Sequence, residues 1–153
     1  MPTPPPPPPP GTARIRRFGV FTRLSAAAFS LTKGRIAGTF LGAPVLILHH
    51  VGRKTGPARR TPLVYIEDGP DLVVVGSRGG SDHTPSWWLN LQANPDTTVE
   101  LRGGRTLHVR AEQVPEGPAR ERLWARAVQV FPKYELAEVR TQRRIPLIRL
   151  RAS

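Results

Sequence analysis

The stretch LILHHVGRKTGPARRTPLVYI, residues 46–66, places a basic loop between two apolar segments. Both segments are rich in aliphatic and β-branched residues and are typical of strands, while two glycines and a proline between them indicate a turn. Four cations belong to the loop: Arg53, Lys54, Arg59 and Arg60. No acidic residue lies in the stretch, so these cations have no partner within it. We therefore predict a strand–loop–strand unit whose loop binds an anion, with a solvated basic hairpin as the alternative.

The composition of this loop suits a phosphate-like anion, although it is not a Walker A loop. GRKT contains a Lys-Thr pair, but the glycine that a Walker A loop has five residues before the lysine is missing. Arginine offers two parallel donors to an oxyanion, Lys54 adds a point charge and Thr55 adds a hydroxyl. Glycine lets backbone N–H groups approach the anion closely. The loop therefore predicts a phosphate-like ligand.

The charge of the chain is unevenly distributed. The 153 residues have a formal net charge of +12. Residues 1–66 carry ten Lys or Arg and no Asp or Glu, whereas residues 67–153 carry thirteen Lys or Arg and eleven Asp or Glu. This asymmetry indicates an anionic partner, which is nucleic acid, a membrane surface or a polyanionic small molecule. The absence of cysteine excludes disulfides and thiolate metal sites, and no apolar run is long enough to predict a transmembrane helix.

Outward from the loop, the chain alternates strand-like and helix-like segments. We predict strands at residues 43–50, 61–68, 71–77, 97–102, 105–114 and 145–150. We predict helices at residues 85–93, 117–131 and 133–142, the first with Thr84 as its N-cap and Pro85 as its first residue. Mostly antiparallel strands with intervening helices predict an α+β domain, as a small barrel.

The N-terminal part of the chain differs in composition from the rest. Residues 1–12 are dominated by proline and are predicted to be a disordered polyproline tail. Residues 13–34 are predicted to form an amphipathic helix, and the barrel domain would cover residues 35–153. The apolar positions of the helix are Ile15, Phe18, Phe21, Leu24 and Ala28. This helix either packs on the domain or contacts an anionic membrane surface.

Two further segments are candidates for ligand contact. GSRGGSDH, residues 76–83, is a glycine-rich turn after a buried strand, where ligand-contacting backbone is often displayed. PSWWLN, residues 85–90, carries Trp87 and Trp88, which lie about 100° apart on a helix. We therefore expect that the two tryptophans do not share one core, and that one of them lines a cleft or stacks on a planar ring. The histidines lack a third ligand at suitable spacing, so no metal site is predicted.

These motifs together resemble the deazaflavin-dependent nitroreductase family. The matching sequence is HHVGRKTGPARRTPLVYIEDGPDLVVVGSRGGSDHTPSWWLNLQANPDTTVEL, residues 49–101. It contains the family pattern GR[KR][ST]G, then R-x-TP[LV]-Y, a strand that ends in a Gly-Gly turn, and P-x-W-[YW]-x-N-L-x-A-N-P. The likeness extends over roughly residues 33–151. Several linked motifs in one order make this a specific resemblance.

The resemblance implies a flavin-reductase-like split β-barrel that binds coenzyme F420, an 8-hydroxy-5-deazaflavin with a phosphodiester and an oligoglutamate tail. It implies an oxidoreductase that transfers a hydride from the reduced coenzyme to a small electron-poor acceptor, such as a quinone, an enone or an activated nitro compound. Because the chain has no cysteine, the redox compartment stays open, with the cytoplasm as the default. The implied cofactor-binding residues are Arg53, Lys54, Thr55, Arg59, Arg60, Thr61, Pro62, Leu63, Val64, Val75, Gly76, Ser77, Arg78, Ser86, Trp87, Trp88, Leu89 and Asn90. Members of the family often carry aromatic hydroxyls at positions matched here by Phe131, Tyr134 and Ala137. Only Tyr134 keeps one, so it is the implied catalytic residue.

Other interpretations of the same residues remain open. A non-catalytic coenzyme carrier would use the same basic loop, and a split barrel could instead bind FMN or haem. Nucleic-acid binding is not expected, because residues 46–62 carry no aromatic side chain for base stacking. A homodimer and peripheral membrane contact through the N-terminal helix are both compatible with the sequence.

Overall fold

The computed structural model describes residues 23–54 and 56–152. Within these residues there are four helices, seven strands and a short 3-10 turn at Arg78–Gly80. The helices are α1 (23–32), α2 (Ser86–Ala93), α3 (Pro118–Val130) and α4 (Lys133–Arg140). The strands are β1 (Thr39–Phe40), β2 (Ala43–Val51), β3 (Ala58–Asp68), β4 (Asp71–Val75), β5 (Asp96–Leu101), β6 (Arg105–Gln113) and β7 (Leu147–Ala152).

The strands of the described residues form one antiparallel sheet that closes on itself. Their order is β1-β2-β3-β4-β7-β6-β5, and an additional pairing of β2 with β5 joins the two sides. That closing contact is short, with Ile47 opposite Glu100 and Leu48 opposite Val99. Strand β1 pairs with β2 alone and stays outside the barrel. The predicted α+β class and split β-barrel are confirmed.

Apolar side chains of the strands pack on both faces of the barrel wall. Successive side chains of a strand point to opposite faces. In β4, Val74 belongs to the interior cluster, whereas Val73 and Val75 pack against α3 and α4. In β2, Leu46 and Leu48 face the interior, while Ile47 packs against Phe29 of α1. Burial on both faces explains why these strands appear in the sequence as continuous apolar runs.

Several element boundaries differ from the sequence predictions by one to three residues, and two of these differences affect the candidate site. Strand β3 begins at Ala58 rather than at residue 61, because its pairing with β2 continues down to Val51 opposite Ala58. Two of the four loop cations, Arg59 and Arg60, therefore lie on a strand. Helix α2 begins at Ser86 with Pro85 as its N-cap residue, so the predicted cap by Thr84 is wrong.

The described part of the N-terminal helix packs with a different face from the predicted one. Ala26 and Phe29 are buried, whereas Leu24 is 66% exposed. The predicted apolar face uses steps of three residues, and each such step turns by 300° around a helix, which is 60° short of a full turn. Over the three steps from position 15 to position 24 the shortfall adds up to 180°, so positions spaced in this way do not stay on one face of a helix. Residues 1–22, which include the predicted tail and the first part of the predicted helix, lie outside the described residues.

Candidate functional site

The candidate site lies along a free strand edge, called the groove below, which follows from the unequal lengths of β3 and β4. Pairing of β3 with β4 begins at Tyr65, opposite Val74, and continues to the turn at Asp68. Residues 58–64 therefore pair with β2 on one side and, among the described residues, have no strand on the other. At about 3.3 Å per residue, this free edge is about 20 Å long. The basic loop lies at one end of it, and the glycine-rich segment that follows β4 lies at the other.

The basic loop is a tight connection between β2 and β3. The Gly52 N–H donates to the Pro57 carbonyl at 2.9 Å, and the Gly56 N–H donates to the Gly52 carbonyl at 2.8 Å. Gly56 has a φ of 73°, a conformation that favours glycine. Arg53 and Lys54 are exposed at the tip of the loop. Thr55, predicted to contact the ligand, lies outside the described residues.

Arg53 is tied to helix α2 through one side-chain amide. The Asn90 Oδ1 atom accepts two hydrogen bonds from Arg53, one from the backbone N–H at 3.1 Å and one from a guanidinium nitrogen at 3.0 Å. Asn90 is 2% exposed, whereas the rest of the Arg53 side chain reaches solvent. The structure therefore places a buried amide against an exposed cation of the basic loop.

His50 completes this network from inside the barrel wall. Its Nδ1 atom lies 2.9 Å from Asn90 Nδ2, and its Nε2 atom lies 2.8 Å from the Thr61 hydroxyl. Burial, together with the positive charge of Arg59 and the neighbouring His49, lowers the pKa of His50 to about 4. A neutral imidazole thus connects Thr61, on the free edge of β3, with Asn90 and Arg53.

The remaining predicted residues of β3 follow the free edge. Arg59 is exposed, and Thr61, Pro62, Leu63 and Val64 are half-buried along it. Arg60 also lies here but is not a free cation, because it forms an ion pair with Glu100 of β5 at 3.2 Å.

Glu100 is itself held by several donors. Ser30 of α1 donates to it at 2.8 Å, and His49 Nε2 lies 2.8 Å from its other oxygen. Although burial acts to raise the pKa of Glu100, the hydrogen bonds from His49, Ser30 and Arg60 lower it below the ordinary value. Sequence analysis missed this partner of Arg60, because the two residues lie far apart in the chain and meet only through the pairing of β2 with β5.

The glycine-rich segment is held by an arginine that sequence analysis did not identify. The Arg143 guanidinium donates to the carbonyls of Gly76 and Ser77, each at 3.0 Å, and its Nε donates to the Ser81 carbonyl at 2.8 Å. Val75 and Gly76 are buried, Ser77 is half-buried and Arg78 is exposed. Arg143 comes from the segment before β7, and no local sequence pattern marks it as the partner of this loop.

Gly80 brings the same segment against α4. Its φ is 86°, and a Cβ at this position would lie 2.9 Å from the Ala137 carbonyl oxygen and 2.7 Å from the Arg140 Cβ. The close approach requires glycine, because any other residue would displace the helix. The glycine-rich segment at this end of the groove is therefore packed against helix α4, which carries Tyr134.

Tyr134 of α4 lies in an aromatic cluster. Its ring is 4.9 Å from that of Phe131, edge to face, and 6.2 Å from that of Trp124. Phe40 of β1 extends the cluster, with its ring 5.7 Å from that of Phe131. The side chain of Tyr134 is 6% exposed, and this burial raises the pKa of its phenol above the ordinary value. At neutral pH the hydroxyl is protonated and is available as a hydrogen-bond donor.

Helix α2 closes the barrel with both of its tryptophans. Trp87 and Trp88 are 7% and 6% exposed and belong to the same interior cluster, so the expectation that they do not share a core is wrong. The helix packs against both β2 and β6, so its sides are enclosed from two directions. Of the other predicted residues in this helix, Ser86 is exposed and Leu89 is half-buried.

Comparison with known proteins gives one consistent result. The model of a family described as F420H(2)-dependent quinone reductase matches residues 21–151. An F420H(2)-dependent quinone reductase of Mycobacterium tuberculosis is 38% identical over 137 residues, which are 87% of this chain and 91% of that protein.

Solved structures are similar to this fold as well. A structure of an F420-H2-dependent reductase (FDR-A) has a TM-score of 0.63 at 33% identity and covers 70% of this chain and 93% of its own. A second structure, described as a domain-swapped dimer, has a TM-score of 0.65 at 28% identity and covers 91% of this chain and 98% of its own. Among the described residues, no helix has the length and apolar character needed to span a membrane.

Proposed function

This chain belongs to the F420H(2)-dependent quinone reductase family, and from that premise we propose that it reduces a quinone or another electron-poor acceptor with reduced coenzyme F420. The match to this family confirms the resemblance found in the sequence. The observation that carries the proposal is a set of cations beside the free edge of β3 that have no carboxylate partner within the part of the chain that the structure describes. An oxidoreductase is favoured over a coenzyme carrier because the aromatic cluster around Tyr134 offers a place for an acceptor next to the groove.

The donors of the groove fit coenzyme F420. No carboxylate among the described residues pairs with Arg53, Lys54 or Arg59, so their charge is available to a phosphodiester and to carboxylates. The free edge of β3 displays backbone groups over about 20 Å, enough for an elongated ligand. We propose that the basic loop binds the phosphate and tail, whereas residues 75–78 and helix α2 lie near the ring system.

Residues of the chain would bind and enclose the acceptor during its reduction by the coenzyme. When bound, the reduced coenzyme supplies a hydride from its ring. Tyr134 would hold an acceptor oxygen by donating a hydrogen bond, and its raised pKa makes it a poor proton donor, so the proton would come from solvent. Phe131 and Trp124 pack around Tyr134 and would hold its ring in place beside the acceptor.

A titration with oxidised coenzyme F420 tests the cofactor proposal. We expect saturable binding by fluorescence polarisation that FMN does not displace. Loss of Arg53 and Lys54, as Arg53→Ala with Lys54→Ala, should weaken binding by about a hundredfold, since a charge-assisted hydrogen bond contributes about 1.5–3 kcal/mol. The matched control replaces two exposed arginines that pair with acids elsewhere on the surface, Arg110→Ala with Arg151→Ala.

The outcomes separate the proposal from its rivals. Turnover of a quinone panel by the wild-type protein supports the reductase, whereas binding without turnover of any acceptor would favour a carrier. Preferential binding of FMN, or equal weakening by the control pair, would contradict the assignment of the basic loop to coenzyme F420.

We propose further that the protein is cytoplasmic and contacts the membrane through α1. The exposed apolar residues Leu24, Leu31 and Ile36 lie among the cations Arg23, Lys33 and Arg35. Such a surface binds anionic lipid through apolar burial and charge together. We expect sedimentation with phosphatidylglycerol vesicles but not with phosphatidylcholine vesicles, and loss of sedimentation in Leu31→Asp. Failure of the wild-type protein to sediment with either would reject membrane contact.

A homodimer is the second assembly that we propose. The domain-swapped dimer among the similar structures supports it, because closure of this barrel depends on the short contact between β2 and β5. Light scattering measures the mass directly, and a monomer at all concentrations tested would reject the dimer.

A further inference from the structure

We infer that His50 is a positioning residue that acts through Asn90 to hold Arg53 in the orientation that receives the anionic part of the coenzyme. This inference rests on the proposed function and adds to it a role for two buried residues. It starts from three side chains that come from three different elements: His50 from β2, Asn90 from α2 and Arg53 from the basic loop.

The hydrogen bonds fix the orientation of the amide first. Both contacts of Asn90 with Arg53 come from N–H donors, so the atom that faces Arg53 must be the amide oxygen. The amide nitrogen then faces His50 and donates to Nδ1. Turning the amide over would set its NH2 group against two donors of Arg53 and would break both contacts.

The amide in turn fixes the protonation of the imidazole. Because Nδ1 accepts from Asn90, the proton of the neutral ring lies on Nε2 and is donated to the Thr61 hydroxyl. A second proton on Nδ1 would place two donors against each other. A single arrangement of protons therefore satisfies the whole chain from Thr61 to Arg53.

The consequence for binding lies in the freedom of Arg53. An exposed arginine at a loop tip ordinarily has many rotamers, and ordering it on binding reduces affinity. Here one guanidinium nitrogen is already bonded to a buried amide, so the remaining donors are presented in advance. Loss of the acceptor at Nδ1 would free the amide of Asn90 and, with it, the side chain of Arg53.

The test is a double-mutant cycle on coenzyme affinity. His50→Gln keeps a donor within reach of Thr61 but has no acceptor at the Nδ1 position, and we expect it to weaken binding of oxidised coenzyme F420 about tenfold. His50→Asn, which restores an acceptor near that position, should bind within about threefold of the wild-type protein. His108→Gln, another histidine on a strand, is the matched control and should bind like the wild-type protein.

Arg53→Ala supplies the second side of the cycle. If His50 acts through Arg53, His50→Gln should change affinity less than about twofold when position 53 is already alanine. An equal tenfold loss in both backgrounds would overturn the inference, because it would show that His50 supports the fold of the site in general.

A readout without the coenzyme separates this inference from the proposed function. Nitrogen-15 NMR of the histidine ring in the ligand-free protein should show Nε2 of His50 protonated and Nδ1 unprotonated. Protonation at Nδ1 near neutral pH would overturn the hydrogen-bonded chain whether or not the coenzyme binds. Failure of the wild-type protein to bind coenzyme F420 would instead reject the proposed function.

Discussion

At the scale of single residues, Tyr134 shows how burial changes the role of a side chain. In water a phenol with a pKa near 10 is already a weak acid at neutral pH. Burial among Phe131 and Trp124 raises the pKa of Tyr134 further, because the charged phenolate would lose its hydration. The hydroxyl therefore stays protonated over the whole physiological range.

Replacement of this tyrosine tests that role. We expect Tyr134→Phe to lower kcat/KM for a quinone by about tenfold or less, which corresponds to one lost hydrogen bond of about 1 kcal/mol. The dependence of kcat on pH should keep its shape, since no proton comes from the phenol. Tyr65→Phe is the matched control, because Tyr65 is the other tyrosine of the chain. A loss above a thousandfold, or a new pH dependence, would assign proton transfer to Tyr134.

Residue identity alone did not reveal how the basic residues are used. The sequence identified Arg53, Arg60 and Asn90 separately. The structure shows that Arg60 is paired with Glu100, and that Arg53 is held by Asn90. These pairs are separated by 40 and 37 residues in the chain, so no local pattern could have connected them.

At the scale of elements, the two faces of α1 contribute differently to the stability of the fold. Phe29 is 1% exposed and packs against Ile47, whereas Leu31, two residues later, is 85% exposed. Residues two apart point about 200° apart on a helix, so one faces the barrel and the other faces solvent. The stability of the fold should depend on the first and not on the second.

A pair of alanine substitutions measures this difference. We expect Phe29→Ala to lower the free energy of unfolding by about 3–4 kcal/mol, because it removes a buried ring and leaves a cavity. Leu31→Ala should change the free energy by less than about 0.5 kcal/mol. Urea unfolding followed by tryptophan fluorescence gives both values. Equal effects of the two substitutions would mean that α1 does not dock as described.

Most elements were predictable because their apolar residues follow the period of a strand or a helix. The strands at 43–50 and 71–77 and the helix at 117–131 were found within a few residues of their observed limits. Helix α2 was also found, but the environment of Trp87 and Trp88 was not. A short helix that closes a barrel is enclosed from two directions, and that enclosure comes from strands that are distant in sequence.

At the scale of the whole molecule, the pH dependence of stability contains a contribution from His50. The pKa of His50 is about 4 in the folded protein, below the ordinary value of 6.5. Between these values the unfolded chain binds the proton and the folded chain does not, so stability is full above pH 6.5 and falls as the pH decreases toward 4. Allowing for solvent screening, the loss is about 2 kcal/mol.

Unfolding at several pH values checks this prediction. The wild-type protein should lose about 2 kcal/mol of unfolding free energy between pH 6.5 and about 4, whereas His50→Asn should lose less, because it has no ring to protonate. The wild-type protein and His50→Asn are best compared above about pH 5. Below that, carboxylates with lowered pKa values, Asp68 beside Arg122 and Arg149 and Glu100 beside His49, also begin to contribute. Identical pH profiles for the two proteins would contradict a buried neutral His50.

Local sequence was enough to predict the class of fold, the order of the elements and the cluster of cations next to Gly52. These depend on local periodicity, on turn residues and on composition, all of which are properties of neighbouring residues. Only the tertiary structure shows that β4 is shorter than β3 and leaves one edge of β3 free, and that Glu100 pairs with Arg60. It alone also shows that His50 bonds to Asn90 and that Arg143 bonds to the carbonyl of Gly76. Those facts depend on closure of the barrel, which brings together residues that the chain keeps far apart.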